Sequence, residues 1–248
     1  MGYFVYACVI VYVFGVLGVM PDLPIGGLTL HIISTTLFTA PLFVIIILKK
    51  QGIASIGLHT KKLWPALRLG LIFAAIALFS RHILHAVLGG WEVQPIDHIM
   101  FMLFMTATVA FMEDTVFSGY IQTRIYGLVK NDIAAVLIVA FLFALIHPVA
   151  FAGLRGPSAF LTQLLSVNML TWMAAHVVHN LLFRRYFSLI PVLMLHMFWN
   201  FGSDGIFVPG EMTIPFIHFP VLIIAVAVWL IIVRLKARKA TTESKEQT

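Results

Sequence analysis

Long apolar runs separated by short polar segments make up most of the chain. A membrane-spanning helix needs about 20 mainly apolar residues. We predict spans at roughly 3–20, 28–48, 66–88, 98–127, 132–148, 159–183, 187–207 and 214–235, with ends uncertain by about 2–4 residues. These segments lack the alternating pattern of a membrane β-barrel, so helices are expected. The predicted fold class is therefore all-α: a polytopic membrane protein with a bundle of about eight transmembrane helices.

The chain shows no internal repeat and no stretch typical of a soluble domain. We therefore expect a single transmembrane domain over residues 1–237, with its polar core at about 98–205. Residues 238–248 are polar and charged and are predicted to form a disordered cytoplasmic tail. The first apolar run lacks a basic leading segment and a small-residue cleavage site, so we interpret it as a span and not as a signal peptide.

Composition agrees with the membrane interpretation. Hydrophobic residues make up 61% of the chain and charged residues 10%, against roughly 25% charged in soluble domains. The lipid bilayer is therefore an expected partner. The formal net charge is +6, but the basic residues lie in short loops and in the tail and form no basic face, so no nucleic-acid partner is expected.

The distribution of charge predicts orientation. Basic residues follow spans two, four, six and eight, and acidic residues occupy the alternate loops, with Arg81 and Arg155 as the two departures. Because loops rich in Lys and Arg stay on the cytoplasmic side, we expect a multi-pass protein of the cell membrane with both termini cytoplasmic. The basic set is Lys49, Lys50, Lys61, Lys62, Arg68, Arg124, Lys130, Arg184, Arg185, Arg234, Lys236, Arg238, Lys239 and Lys245.

Five polar residues interrupt three of the predicted spans. Glu113 and Asp114 lie in span four, His147 ends span five, and His196 and Asn200 lie one helical turn apart in span seven. A charged side chain at this depth costs roughly 2.5–3.5 kcal/mol or more. At about 1.5 Å per residue, all three spans place these groups roughly 20 Å from their cytoplasmic ends. This common depth indicates one site, although polar packing contacts between helices are the simpler alternative for each residue taken alone.

Three short motifs around these residues resemble the CAAX protease and bacteriocin-processing family, also called the abortive-infection family. That family carries the patterns EExxxR, FxxxH and HxxxN or HxxxD in this order on a largely eight-helix bundle. The corresponding residues here are Glu113 and Asp114, then Phe143 and His147, then His196 and Asn200. The resemblance extends over residues 50–205 and implies an intramembrane endopeptidase that cleaves a membrane-associated protein or peptide. Bacteriocin or pheromone maturation and CAAX-like processing are the substrate classes that it implies.

The chain departs from the family pattern at two positions. Asp114 replaces the second Glu, and Ser118 replaces the Arg expected four residues later. Arg81 is predicted to lie at the depth of Asp114 and could supply the missing charge, or it could face outward and meet Glu92 or Asp97. Ser118 also supports an alternative function, a catalytically silent membrane scaffold or bacteriocin-immunity protein. A transporter is less well supported, because no matching pair of broken helices is found.

Span six contains a second HxxxN pair, His176 and Asn180, with His179 between them. In the family, the third motif follows the basic loop that here carries Arg184 and Arg185. We therefore assign the motif to span seven and interpret His176 and His179 as packing residues.

The motif residues could together hydrolyse a peptide bond. Glu113 is the expected base, His147 would hold the attacking water, and His196 and Asn200 would donate hydrogen bonds to the oxyanion. The resemblance implies the same assignment, and its CAAX-processing members favour a glutamate mechanism without metal or cofactor. Two His and one Glu could instead bind zinc, with Glu113, His147 and His196 as ligands.

Overall fold

The structure is a computed structural model, and it describes residues 2–17, 27–80, 92–201, 205–206 and 224–234. Helices and their connections make up these ranges, with no β-strand in the part described. The predicted all-α fold class is confirmed. Arg81 and the predicted tail, residues 238–248, lie outside the described residues, and the domain boundaries stay predictions.

The described residues contain ten α-helices, α1 to α10 in chain order. A turn of 3₁₀ helix, Ile53–Ile56, precedes the third helix, and a π-helix, Thr115–Ile121, joins the fourth helix to the fifth without a break. The α-helices are α1 (Gly2–Val16), α2 (Gly27–Leu48), α3 (Leu63–Leu78), α4 (Ile96–Asp114), α5 (Gln122–Leu128), α6 (Asp132–Arg155), α7 (Pro157–Leu164), α8 (Val167–Tyr186), α9 (Ile190–Phe201) and α10 (Ile224–Arg234).

Three described segments are long and apolar enough to cross a membrane. They are α2, the continuous run Ile96–Leu128 and α6, and the bent pair of α7 and α8 would make a fourth. Helices α1, α3, α9 and α10 are apolar but shorter. Large apolar side chains on the outer faces are strongly exposed, such as Ile47 at 72% and Ile133 at 73%, which suits contact with lipid. The count of about eight spans is not confirmed and stays a prediction.

Two predicted spans differ from the helices observed. Span five was expected to end at residue 148, but α6 continues through Pro148 to Arg155. Membrane helices tolerate proline where neighbouring helices satisfy the freed backbone groups. Span six is two helices, α7 and α8, which meet at an angle of 64°. Gly156 stops α6 with a φ of 89°, a conformation that favours glycine, and Pro157 opens α7.

The extended end of α6 packs closely against α1. A methyl group built on Gly15 would lie 2.5 Å from the backbone oxygen of Ala150, and Gly153 faces the same crossing from α6. Small residues let two helix backbones approach in this way, which is how membrane helices commonly associate. The close crossing of α1 and α6 therefore depends on glycine at both positions.

Two buried apolar clusters form the core. The first joins α1, α2, α6 and the region around the π-helix, and the second joins α3, α8, α9 and α10. Met112 of the first cluster directly precedes Glu113, and Leu195 of the second directly precedes His196. Glu113 and His196, which contact each other, thus lie where the two clusters meet.

Candidate active site

Asp114 accepts three hydrogen bonds at this junction. Its side chain has no solvent exposure. Oδ1 accepts hydrogen bonds from the hydroxyl of Ser118 at 3.1 Å and from Nδ1 of His179 at 3.2 Å. Oδ2 accepts one from Nδ1 of His196 at 2.9 Å. Groups on the π-helix, α8 and α9 therefore converge on this one carboxylate.

The π-helix directly after Asp114 determines how Ser118 is presented. π-Helical turns are rare and occur frequently at functional sites. Here the wide turn begins at Thr115, and the Ser118 hydroxyl is directed back to Asp114. The backbone of Gly119 lies against the 3₁₀ turn, where an added methyl group would be 2.8 Å from the oxygen of Ile56. A fully buried serine, held by its hydroxyl, thus occupies the position where the family pattern has arginine.

Glu113 and His196 form the second contact of the site. Oε2 of Glu113 lies 3.5 Å from Nε2 of His196, and both side chains are buried, at 7% and 4% exposure. The imidazole of His196 therefore stands between two carboxylates, with one ring nitrogen toward each. The structure brings together Glu113, Asp114 and His196, as the common depth of their spans predicts.

The aromatic ring of Phe143 separates His147 from this group. Its Nδ1 donates to the backbone oxygen of Phe143 at 3.2 Å, and its ring stacks on Trp172 with centroids 4.2 Å apart. The Phe143 ring is 5.1 Å from the His147 ring and 6.3 Å from the His196 ring. Because Nδ1 carries the donated proton, Nε2 of the neutral ring is an acceptor. Asn200 is half-buried, one turn past His196 on α9.

Two residues from the second HxxxN pattern belong to the same cluster. His179 bonds to Asp114, so interpreting it as a packing residue was wrong in this respect. His176 has no solvent exposure and stacks face to face on Phe143, with centroids 4.1 Å apart and planes 7° apart. The available signal was the spacing of His176, His179 and Asn180, which puts three polar side chains on one face of an otherwise apolar helix.

Asn180 has a structural role. Its Nδ2 donates to the backbone oxygen of Val136 at 3.2 Å, and its own backbone oxygen accepts from Gln122 at 3.1 Å. These bonds tie α8 to α6 and α5, as polar residues commonly do between membrane helices.

The arginine expected to pair with Asp114 is not found in the part of the chain that the structure describes. Arg124 instead bonds to Gln51 and, at 2.6 Å, to Thr123, and its guanidinium lies 4.0 Å from the centre of the Tyr120 ring. The hypothesis that Arg81 pairs with Asp114 stays a prediction.

The ligand atoms of Asp114, His176 and His179 all lie within 4.8 Å of one another, a spacing that could hold a metal ion. The zinc ligands considered from the sequence, Glu113, His147 and His196, are a different set. The two sets share no residue, but they are in contact, because Nδ1 of His196 in the second set meets Asp114 of the first.

Residues 95–202 match the family model described as type II CAAX prenyl endopeptidase Rce1-like. No curated protein and no solved structure shows significant similarity to the chain. The matched stretch begins just before α4, ends just after α9 and contains the whole polar cluster around Asp114 and His196. The predicted family resemblance is confirmed over this stretch, and together with the apolar helices it indicates a multi-pass membrane protein related to proteases.

Proposed function

We propose that this chain, whose residues 95–202 match the type II CAAX prenyl endopeptidase Rce1-like family model, is a glutamate-type intramembrane endopeptidase. The observation that supports this best is the buried row of Glu113, His196 and Asp114. Two carboxylates on either side of an imidazole, away from water, are suited to general acid–base chemistry. The bond hydrolysed would be a peptide bond in a membrane-associated protein or peptide.

In this mechanism Glu113 takes a proton from a water molecule, and the resulting hydroxide attacks the carbonyl carbon of the substrate. Glu113 then returns the proton to the nitrogen of the leaving amine as the C–N bond breaks. His147 holds the water through Nε2, since its Nδ1 is engaged with Phe143. The oxyanion accepts hydrogen bonds from Asn200 and from Nε2 of His196 when that ring carries both protons.

Asp114 acts through His196 and not on the substrate. Its 2.9 Å bond to Nδ1 holds the imidazole in place and directs Nε2 toward Glu113. An orienting carboxylate behind a catalytic imidazole is a common arrangement in hydrolases. No metal on Glu113 is needed for this sequence of steps.

The proposal also includes the class of substrate and the cellular location of the protein. Bacteriocin or pheromone maturation and CAAX-like processing are the candidate roles, with the lipid bilayer as the second partner and no nucleic acid. The chain would reside in the cell membrane with both termini cytoplasmic.

A catalytically silent scaffold or immunity protein is the second candidate function. Ser118 is the observation that favours it, because a neutral hydroxyl replaces the expected guanidinium beside Asp114. The two functions predict opposite results in a cleavage assay.

The test is a proteolysis assay of purified protein against a library of membrane-associated peptides. We expect wild type to cleave and Glu113→Gln to lose nearly all cleavage while keeping its elution profile in detergent. Asn200→Ala should slow cleavage about 10²–10³-fold, the usual loss of one oxyanion donor.

The matched control is Glu92→Gln, which changes an exposed carboxylate before α4 and should cleave like wild type. Normal turnover by Glu113→Gln would rule out this mechanism, and a wild type that cleaves nothing would favour the silent scaffold.

A further inference from the structure

The proposed mechanism leaves His176 without a role. Its side chain is completely buried, and neither ring nitrogen has a hydrogen-bond partner. A neutral imidazole has one donor and one acceptor to satisfy, and buried polar groups are nearly always paired. Both ring nitrogens of His176 are therefore available to bind a ligand.

The surroundings of His176 indicate what that ligand is. A carboxylate oxygen of Asp114 and ring nitrogens of His176 and His179 lie within 4.8 Å of one another. Oδ1 of Asp114 and Nδ1 of His179 are 3.2 Å apart. Two donors bound to one tetrahedral zinc, with bonds of about 2.0–2.2 Å, are separated by roughly 3.3–3.5 Å. The pair of Asp114 and His179 therefore has nearly the separation that a zinc ion requires, and the third donor, a ring nitrogen of His176, belongs to the same group within 4.8 Å.

Stacking holds the third donor in place. The His176 ring lies flat on Phe143 and meets Phe117 edge-on at 5.9 Å. Its ring centre is 5.4 Å from that of His179, which is one turn further along α8. An ordinary hydrogen bond accounts for the pair of Asp114 and His179, but it leaves both nitrogens of His176 unpaired.

We propose that Asp114, His176 and His179 bind a divalent transition-metal ion of the zinc class. Two imidazoles and one carboxylate are a usual ligand set for zinc, and three protein ligands leave one coordination position open. The ion would supply positive charge to Asp114, the role of the arginine that Ser118 replaces. This departs from the expectation that the chain holds no metal, and the ligands differ from the zinc set of Glu113, His147 and His196.

The test measures zinc on the full chain without any substrate, so its result is independent of the proposed protease activity. Purified protein in detergent is stripped with a chelator, reloaded with Zn²⁺, passed through a desalting column and analysed for its elements. Competition with a chromophoric chelator gives the dissociation constant. The variants are His176→Gln and His179→Gln, with His147→Gln as the matched control from the other ligand set and His59→Gln as the control outside both.

We expect about one zinc per wild-type chain and at least a tenfold weaker affinity in His176→Gln and His179→Gln. Both controls should bind like wild type. Wild type without retained zinc would overturn the proposal, and this result does not depend on whether any variant folds. Loss of zinc in His147→Gln with retention in His176→Gln would also overturn it, because the ion would then lie in the other ligand set.

Discussion

At the scale of single residues, the polar cluster is organised around the fully buried carboxylate of Asp114. Asp114 accepts from Ser118, His179 and His196, and these donors come from different elements of the bundle. Removing a buried acceptor leaves its donors unpaired in a medium without water, which costs more than the bonds themselves contributed. Asp114 is therefore expected to support both the fold and the orientation of His196.

We predict that Asp114→Ala lowers the free energy of unfolding by about 3–5 kcal/mol, the usual cost of breaking a buried ionic group by removing one partner. Asp114→Asn keeps one acceptor oxygen and should lose less. The measurement is thermal or denaturant unfolding in detergent, on protein treated with chelator so that metal content is equal.

Asp132 provides the matched control for this prediction. Its carboxylate pairs with Arg184 at 2.6 Å, but its side chain is 64% exposed. Such exposed pairs contribute about 0–1 kcal/mol, so Asp132→Ala should have a small effect. If Asp114→Ala proved no more destabilising than Asp132→Ala, the central role assigned to Asp114 would be wrong.

At the scale of elements, the π-helix links the site to the loop before α3. Its wide turn presents Ser118 to Asp114 on one side and Gly119 to the Ile56 backbone on the other. The loop between α8 and α9 contacts the same segment before α3, because the backbone N–H of Leu189 donates to the backbone oxygen of Gly57 at 3.1 Å. Displacing the π-helix would therefore disturb the entry to α9, which carries His196.

Gly119→Ala tests this coupling. Its methyl group would meet the Ile56 oxygen at 2.8 Å and Cβ of Ile56 at 3.2 Å, so the π-helix or the 3₁₀ turn must move. We expect a loss of about 1–3 kcal/mol in stability, typical of overpacking, together with slower cleavage.

Gly127→Ala is the control in the same span, because an added methyl group there has no neighbour within 4 Å. Alanine favours helix over glycine, so this variant should be neutral or slightly stabilised, by up to about 1 kcal/mol. Equal effects from the two substitutions would contradict the prediction, because they would show that the close contact of Gly119 with Ile56 has no energetic consequence.

At the scale of the whole molecule, the loops predicted to be cytoplasmic contact one another, and so do two of the loops predicted to lie on the other side. Arg124 bonds to Gln51, Arg184 pairs with Asp132, and the ring of His59 contacts the backbone oxygen of Phe187 at 2.7 Å. The loops predicted to be cytoplasmic thus meet one another. At the other end, the backbone of Gln94 donates to that of Ile206 at 2.7 Å, which joins two loops of the acidic set.

Because loops rich in Lys and Arg stay on the cytoplasmic side, this arrangement predicts on which side of the membrane each loop lies. Reporter fusions after Lys62 and after Arg238, which lies outside the described residues, should both indicate the cytoplasm. A fusion after Glu92 should report the opposite side. A periplasmic signal at Lys62 or Arg238 would contradict the prediction of eight spans with both termini cytoplasmic.

The sequence alone determined the class of the molecule and part of its site. Apolar runs of about 20 residues with few charges require a lipid-embedded helical protein, because no water is present in the bilayer to satisfy other backbones. Ionisable residues at one depth on separate helices predicted that Glu113, Asp114 and His196 would come together. These conclusions depend on periodicity and on the cost of burying charge, which can both be read from the chain.

Tertiary structure alone decided which polar residues share the cluster. The rotation of α8 about its axis brings His179 to Asp114 and leaves Asn180 facing α6, and this rotation is set by packing against neighbouring helices. The sequence of α8 places His176, His179 and Asn180 on one face, but it does not indicate which neighbouring helix each of these side chains meets. The π-helix was likewise unpredicted, because its wide turn depends on the close approach of Gly119 to a distant loop. The sequence could therefore indicate the depth of the polar groups, while packing between helices determined which of them meet.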